Sequence, residues 1–377
     1  MEIYFDNAAT TRVSEKAAKV AYQTMLKNYG NPSSIHNKGI DADKILKNSR
    51  RTIADYLRTK PEQILFTSGG TEANNLAIQG AAGIRSGRGN HIISSQIEHP
   101  SIYEQFDKLR DSGYDITLVR PDSSGFINPE DVITEIRDDT ILISIMYVNN
   151  ITGAIQPIAE ISKKAKKLNS DIIFHSDMIQ APGKVETVPE KLEVDLASFS
   201  GHKFHGPKGT GFLYLREDHY IEPILYGGGQ ERELRSGTEN LPGIAGMAEA
   251  IKDLNKSNEF NNSINKIKNH IINRIESEIP EIIINTPDKS APHIINASIP
   301  GLPGEVIVNA LNHNDIYISS GSACAGTNIK TDHVLEAMGR DDKIASSSIR
   351  ISISKNNTEQ EANRLINTLK EELNFLL

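Results

Sequence analysis

The stretch Leu196-Ala-Ser-Phe-Ser-Gly-His-Lys-Phe-His-Gly-Pro-Lys-Gly-Thr-Gly-Phe-Leu-Tyr-Leu215 consists of two short apolar runs joined by a basic, glycine-rich loop. The runs at 196–200 and 211–215 predict strands that are buried on both faces of a sheet. Lys203 follows the first strand, among glycines, serines and histidines. These surroundings suit a lysine that forms an imine with an aldehyde cofactor. A basic surface loop is the alternative.

Similar apolar runs alternate with amphipathic stretches towards the N-terminus. They predict strands at 64–67, 91–95, 116–120, 141–146 and 172–175, and helices such as 72–83, 101–111 and 158–168. This alternation is typical of a mostly parallel sheet covered by helices. After about Gly243 the pattern changes to a polar helical stretch at 244–278 and then to short strands and helices, which predicts a smaller α+β unit.

Composition excludes several classes of protein. The 377 residues include one cysteine, and 41 Lys+Arg against 49 Asp+Glu give a formal charge of −8. One cysteine excludes an intramolecular disulfide and a metal cage built from this chain's cysteines. The acidic balance argues against direct nucleic-acid or membrane-surface binding. Because we find no secretory signal and no long apolar run, we expect a soluble, cytoplasmic protein without a membrane span.

The motif Thr67-Ser-Gly-Gly-Thr-Glu72 follows a predicted strand and begins a predicted helix. Its two glycines allow a ligand to approach the backbone closely. The free N–H groups of a helix start attract an anion. The motif therefore predicts a phosphate cradle. An ordinary glycine turn, with Thr71 as the helix N-cap, is the alternative.

Three more motifs follow predicted strands, where open α/β sheets bind their ligands. Asp177 suits a protonated pyridine nitrogen, and Gln180 suits the phenolic oxygen of the same ring. His99 suits stacking on an aromatic ring and proton transfer. The pair Asn149-Asn150 offers an amide to a ring oxygen. A helix cap for Asp177 and a purely structural role for His99 are the alternatives.

Two motifs lie in the last third of the chain. Ser319-Ser-Gly-Ser-Ala-Cys-Ala-Gly-Thr-Asn328 surrounds the only thiol with small residues. This favours an accessible, reactive Cys324 over a buried structural one. A strand at 348–353 presents Arg350, whose guanidinium suits a carboxylate. A structural ion pair is the alternative for Arg350.

In this order, the motifs resemble the cysteine desulfurases of the NifS/IscS type, which use pyridoxal phosphate. The resemblance covers nearly the whole chain. It includes four further motifs, Tyr4-Phe-Asp-Asn-Ala-Ala-Thr-Thr11, Gly30-Asn-Pro-Ser-Ser-Ile-His36, Gly227-Gly-Gly-Gln-Glu-Arg232 and Arg235-Ser-Gly-Thr-Glu-Asn240. It implies the class V aminotransferase fold (aspartate aminotransferase-like), with a mostly parallel seven-stranded sheet in a large domain and a smaller α+β domain.

The resemblance also implies a role for each candidate residue. Lys203 binds the cofactor and then acts as the base at the substrate's α-carbon, and the Cys324 thiolate takes the sulfur of L-cysteine and leaves alanine. The implied cofactor-binding residues are Gly70, Thr71, His99, Asn150, Asp177, Gln180, Ser200, His202, Lys203 and Thr238, with Thr238 supplied by the other subunit of a homodimer. Asn150 and Arg350 bind the substrate, and no metal is implied. The persulfide passes to an acceptor protein for iron–sulfur assembly or for tRNA or cofactor thiolation.

We expect a large domain at 14–255, and a small domain formed by 1–13 and 256–377 that carries the cysteine loop at about 318–333. Ile151 and Glu233 depart from the pattern of the family, which leaves substrate preference and partner choice open. A selenocysteine lyase or another class V pyridoxal-phosphate enzyme is the nearest alternative. A sulfur-trafficking protein that has lost catalysis is an alternative from another class.

Overall fold

The computed structural model describes residues 2–321 and 332–376, without the side chains of residues 255–260. Cys324 lies outside the described residues. The described helices are α1 (Glu15–Lys27), α2 (Asn37–Leu57), α3 (Gly70–Arg85), α4 (Pro100–Tyr103), α5 (Gln105–Asp111), α6 (Pro129–Thr134), α7 (Ile158–Leu168), α8 (Leu241–Lys252), α9 (Ser257–Glu278), α10 (Gly304–His313), α11 (His333–Ala337), α12 (Asp342–Ala345) and α13 (Glu359–Leu376). The described strands are β1 (Ile3–Tyr4), β2 (Ile64–Thr67), β3 (His91–Ser95), β4 (Asp115–Val119), β5 (Thr140–Ser144), β6 (Ile173–Asp177), β7 (Leu196–Ser200), β8 (Gly211–Leu215), β9 (Ile283–Ile284), β10 (Ile294–Ser298), β11 (Ile316–Tyr317), β12 (Ser319–Ser320) and β13 (Ser348–Ser352).

The largest sheet has the strand order β2-β8-β7-β6-β5-β3-β4. The neighbours from β7 to β4 pair in parallel, and β8 is antiparallel to both β7 and β2. Only β8 therefore runs against the other strands of this sheet. The mostly parallel seven-stranded sheet predicted from the sequence is confirmed, and the predicted bounds of β2, β3, β7 and β8 agree with those observed.

Alternation along the strands divides the large core into two layers. In β3, Ile92 packs into the layer that contains α3, while Ile93 packs into the layer that contains α2 and α8. Leu142 and Ile143 of β5 divide in the same way. Successive side chains of a strand point to opposite faces of the sheet. A strand with consecutive apolar residues is therefore covered by a hydrophobic layer on each face.

A second hydrophobic cluster lies around the antiparallel sheet β12-β13-β10-β9 and the helices α9, α10 and α13. The N-terminal strand joins this cluster, because β1 pairs in parallel with β11 and Phe5 is buried in it. The predicted division into 14–255 and 1–13 with 256–377 stays a prediction. Within the part of the chain described, no helix is both long and apolar enough to cross a membrane.

The stretch 244–278, predicted as one helical stretch, is two helices with a turn of 3-10 helix between them. The reason is that α8 packs on α1 and α2, whereas α9 packs on α13 and β10, so the chain changes direction between the two cores. Helix α9 is not polar on all sides, because Ile264, Ile267 and Ile271 are buried. Their spacing of three and four residues puts them on one face of the helix. A capping box begins α13, since Thr358 and Glu361 each accept the other's backbone N–H.

Candidate active site

A cavity of about 240 Å³ lies at the carboxyl ends of the central strands. Its lining residues are Ala8, Ala9, Gly70, Thr71, His99, Ser101, Met146, Asn150, Asp177, Ile179, Gln180, Ser200, His202, Lys203 and Arg350. Every candidate residue is among them except Thr238, which is exposed elsewhere on the surface, and Cys324, which is not described. The strands β2, β3, β5, β6 and β7 all end near this cavity, as expected for an open α/β sheet.

One end of the cavity has the geometry of an anion site. Helix α3 begins at Gly70, and the N–H groups of its first turn have no partner within the helix. A Cβ atom on Gly70 would lie 2.2 Å from Cδ1 of Ile179 and 3.4 Å from Cβ of Ser200, so only glycine fits here without displacing a neighbour. Gly69, and not Thr71, is the N-cap, so the alternative of a Thr71 cap is wrong. The Thr71 hydroxyl therefore remains available to the cavity.

Lys203 lies just beyond β7, at the end of a 3-10 turn. Its Nζ donates to the carbonyl oxygens of Ala8 at 2.7 Å and Ala9 at 2.8 Å. Gln180 donates to the same Ala8 oxygen at 2.9 Å. The N-terminal segment thus holds the lysine inside the cavity. The sequence motif at residues 4–11 matched the family, but it gave no sign of this contact across 195 positions.

A chain of hydrogen bonds joins Asp177 to His99. The Nδ2 of Asn74 donates to Oδ2 of Asp177 and to Oγ of Ser101, both at 2.8 Å. The Ser101 hydroxyl lies 2.8 Å from Nδ1 of His99. Asn74 is completely buried, and Asp177 also accepts the backbone N–H of Ile179 at 2.9 Å. Sequence reasoning missed Asn74 and Ser101, although Asn74 lies four residues after the glycine pair and so one turn into α3.

The surroundings of His99 determine its tautomer. The backbone N–H of Ser101 donates to Nδ1 at 3.1 Å, so Nδ1 is an acceptor and a neutral ring carries its proton on Nε2. Burial lowers the pKa of His99; Asp177 opposes this effect, and Lys203, His333 and Arg350 add to it. His99 is therefore a neutral imidazole at neutral pH, with a donor at Nε2.

Arg350 extends from β13 and is only 2% exposed. It donates to the carbonyl oxygen of Asn150 at 2.9 Å, to Asp6 at 3.1 Å and to Ser319 at 3.2 Å. Its Nε has no hydrogen-bond partner among the described residues. The structural ion pair that was the alternative for Arg350 is thus present, with Asp6. Arg350 also lines the cavity. The three hydrogen bonds to described residues use three of the five guanidinium N–H donors, so the group is held in place and two donors remain.

The start of the predicted cysteine loop lies beside this arginine. Ser319 of β12 pairs directly with Arg350 of β13, and Ser320 pairs with Ile349. The described chain continues to Gly321 and begins again at Asp332. Cys324 is three residues beyond Gly321 in the sequence and lies outside the described residues.

Two buried acids near the cavity escaped sequence reasoning as titratable groups. Burial raises the pKa of Glu98 to about 8 and the pKa of Asp332 to about 7. Glu98 accepts from Ser95 at 2.5 Å and from the N–H of Met146 at 3.0 Å. The signal for Glu98 was its position directly after a buried strand, but no sequence pattern reveals complete desolvation.

Comparison with known proteins agrees with this architecture. The family model described as Aminotransferase class-V matches residues 3–365. Cysteine desulfurase IscS of Dictyoglomus turgidum is 38% identical over 374 residues, which cover 98% of this chain and 94% of that protein. A solved structure named NIFS-LIKE PROTEIN is 38% identical, with a TM-score of 0.94 and complete coverage of both chains. A structure titled SspA in complex with cysteine is 32% identical, with a TM-score of 0.81, and covers 95% of this chain and 100% of that one. The chain belongs to the class V aminotransferase family and, within it, to the NifS/IscS-type cysteine desulfurases.

Proposed function

We propose that this chain is a pyridoxal-phosphate-dependent cysteine desulfurase that moves the sulfur of L-cysteine onto Cys324. The observation that carries the proposal is one cavity in which Lys203, Asp177, His99 and Arg350 converge. A reactive amine, a carboxylate, a neutral imidazole and a carboxylate-binding guanidinium are the groups that this chemistry requires. The structure of SspA with cysteine, on a related chain, supports cysteine as the substrate.

The residues present fit the cofactor. The glycine-lined start of α3, with Thr71, Ser200 and His202, would hold the phosphate, and Asp177 would hold the pyridine nitrogen. Burial, Lys203 and Lys208 lower the pKa of His202 to about 4, so His202 is neutral and would bind phosphate by hydrogen bonding. Asn150 and Gln180 would face the ring oxygen, and His99 would stack on the ring. When bound, pyridoxal phosphate supplies an electron sink for negative charge at the substrate's α-carbon.

The chain's own residues would divide the remaining work. Arg350 would receive the substrate carboxylate through the guanidinium N–H donors that its contacts with described residues leave unused, including the one on Nε. Lys203 would take the proton from the substrate's α-carbon. The thiolate of Cys324 would attack the substrate sulfur, so that the C–S bond breaks as an S–S bond forms. Protons returned to the carbon skeleton complete alanine, and a persulfide remains on Cys324.

The same proposal includes a homodimer, in which Thr238 contributes to the phosphate site of the neighbouring subunit. Its exposure in the single chain, outside the cavity formed by that chain, supports this assignment. We also propose the domain division at 14 and 255, which the separate hydrophobic cluster around Phe5 and α13 supports. The sulfur acceptor would be an iron–sulfur scaffold or a thiolation enzyme.

The test measures alanine and sulfide released from L-cysteine in the presence of a thiol reductant. We expect both products from the native chain, and a loss of at least about a hundredfold in Lys203→Ala and in Cys324→Ser. Lys208→Ala is the matched control, because Lys208 belongs to the same loop but is exposed and does not line the cavity. Parental rates in Cys324→Ser would contradict the proposal. Comparison with selenocysteine as substrate separates a desulfurase from a selenocysteine lyase.

A further inference from the structure

The surface segment 227–240, which we call the bracing segment, contacts the phosphate end of the cavity from outside. It contains Thr238 but contributes no residue to the cavity of its own chain. Two ion pairs connect this segment to the helices α2 and α3, near the loop 68–70. One ion pair joins Arg50 and Glu231, and the other joins Glu72 and Arg235. The loop between them leads from β2 into α3.

The first ion pair fixes the segment to α2, and the same carboxylate also binds the backbone of β2. Arg50 forms a bidentate pair with Glu231, at 2.5 and 2.8 Å, and Glu231 also accepts the backbone N–H of Phe66 at 2.8 Å. Glu231, Arg232 and Glu233 have φ values of 47°, 60° and 66°. Three successive left-handed residues without glycine are unfavourable for the backbone, so the surrounding contacts must maintain this conformation. The buried Glu231 carboxylate provides such a contact.

The second ion pair fixes the segment to the phosphate loop itself. Arg235 donates from Nε to Oε1 of Glu72 at 2.7 Å and from Nη2 to Oε2 at 3.2 Å. Glu72 in turn accepts the backbone N–H of Ser68 at 3.1 Å. The side chains of Glu72 and Arg235 are 14% and 20% exposed, so solvent screens the pair only partly. Glu72 thus links Arg235 to the loop that precedes Gly70.

Arg235 also neutralises the charge of Glu72 near the predicted phosphate site. Glu72 follows Thr71 directly, so its carboxylate lies in the same helical turn as the predicted phosphate ligands. Like charges repel, so an unpaired Glu72 carboxylate would weaken the binding of phosphate at this helix start. Burial alone raises the pKa of Glu72, but the hydrogen bonds from Arg235 and Ser68 outweigh it and hold the pKa below its ordinary value. Glu72 is therefore ionised and needs its arginine.

We propose that Arg235 is a positioning residue for cofactor phosphate, which acts by neutralising Glu72 and holding it against the Ser68 N–H. The proposal rests on the proposed function, because it requires pyridoxal phosphate as the ligand of this cavity. It assigns the bracing segment a role in its own subunit, in addition to the contribution of Thr238 to a neighbour. The phosphate loop, and not the pyridine site, is the part of the cavity that depends on Arg235.

The experiment titrates the full-length apoenzyme with pyridoxal phosphate and, separately, with pyridoxal, and follows each by absorbance. We expect R235Q to weaken pyridoxal phosphate binding by about tenfold or more, the cost of losing a charged hydrogen-bond pair. Its affinity for pyridoxal, which lacks the phosphate, stays within about twofold. The double variant E72Q/R235Q recovers part of the lost affinity, because the unpaired carboxylate is then absent. Glu233→Gln, an exposed acid of the same segment, is the control and leaves both affinities unchanged.

Three results would overturn the inference. One is an equal loss of affinity for both ligands in R235Q, which would indicate general damage to the site. Another is unchanged affinity for pyridoxal phosphate, and a third is a double variant weaker than R235Q alone. If R235Q does not fold, R235K, which keeps the charge but loses the two-pronged geometry, must still show a loss for pyridoxal phosphate alone. Failure of the native chain to bind pyridoxal phosphate would instead refute the proposed function, and this inference with it.

Discussion

Glu98 shows at the scale of one residue how burial near the cavity changes protonation. Its side chain is completely buried, and in the part of the chain that the structure describes one of its carboxylate oxygens has no hydrogen-bond partner. Burial, as the main cause, raises its pKa from 4.5 to about 8, so the acid is mainly protonated at neutral pH. Because Glu98 is neutral, Asp177 has no second negative charge from Glu98 near it. Asp177 thus keeps its role as the carboxylate that faces the cavity.

This protonation predicts a pH-dependent stability. The unfolded chain loses the Glu98 proton near pH 4.5, whereas the folded chain keeps it until about pH 8. Between these values the folded state binds more protons, so this residue lowers the free energy of unfolding as pH rises. Glu98→Gln removes the effect. We expect the free energy of unfolding of this variant, relative to that of the native chain, to rise by about 1–3 kcal/mol between pH 5 and pH 8. Urea unfolding at both pH values measures this gain.

The matched control for Glu98 is Glu104→Gln, because Glu104 lies six positions further along the chain and is exposed. The difference in free energy of unfolding between Glu104→Gln and the native chain should be the same at both pH values. A Glu98→Gln variant whose advantage does not grow with pH would contradict a buried, protonated Glu98.

At the scale of elements, the start of α3 depends on the close approach of Gly70 to the β6–β7 side of the cavity. A methyl group at this position would lie 2.2 Å from the end of the Ile179 side chain. The terminal atom of a flexible side chain moves easily, so Gly70→Ala should cost little stability. Because Ile179 lines the cavity, its displacement should weaken pyridoxal phosphate binding by about tenfold. Titration of the apoenzyme together with thermal unfolding separates the two effects.

Gly87→Ala is the control for this substitution, because a Cβ atom at Gly87 meets nothing within 4 Å. It should leave cofactor affinity unchanged. If Gly70→Ala bound pyridoxal phosphate as tightly as Gly87→Ala, the proposed phosphate site at this helix start would be wrong.

The elements also show what the sequence predicted and why. The central strands were predictable because each is a short run buried on both faces, with Leu142 and Ile143 serving opposite layers. Side chains at or just beyond the carboxyl ends of those strands, such as Asp177 and Lys203, were predictable because open α/β sheets bind ligands at this edge. The helices α1 and α2 were not predicted. The buried residues of α1 are small or polar, as Ala17 and Thr24 show, and those of α2 mix Leu46 and Ile53 with small or polar residues such as Ser49.

At the scale of the whole molecule, the cavity is assembled from distant parts of the chain. Ala8 holds Lys203 across 195 positions, and Arg350 reaches Asn150 across 200. No local pattern encodes such contacts, so the roles of Ala8, Asn74 and Asp6 emerge only from the structure. The resemblance to the family named candidate reactive groups, whereas the structure shows which atoms contact Lys203, Asp177 and Arg350.

The assembly brings two hydrophobic clusters to one site. Lys203 and Asp177 extend from the large parallel sheet, while Arg350 extends from the antiparallel sheet that contains β12. The described chain leaves β12 at Gly321, beside the strand of the arginine that would bind the substrate. The single thiol of the sequence, which at first only excluded disulfides and metal cages, follows three residues later.

The most direct test of the central claim is the mass of the peptide that contains Cys324 after the holoenzyme has reacted with L-cysteine. Because the chain has one cysteine, a persulfide has only one place to form. We predict that this peptide gains one sulfur atom, in step with alanine release, and that Lys203→Ala gains none. A peptide without added sulfur while alanine is released, or sulfur added equally in Lys203→Ala, would contradict the account.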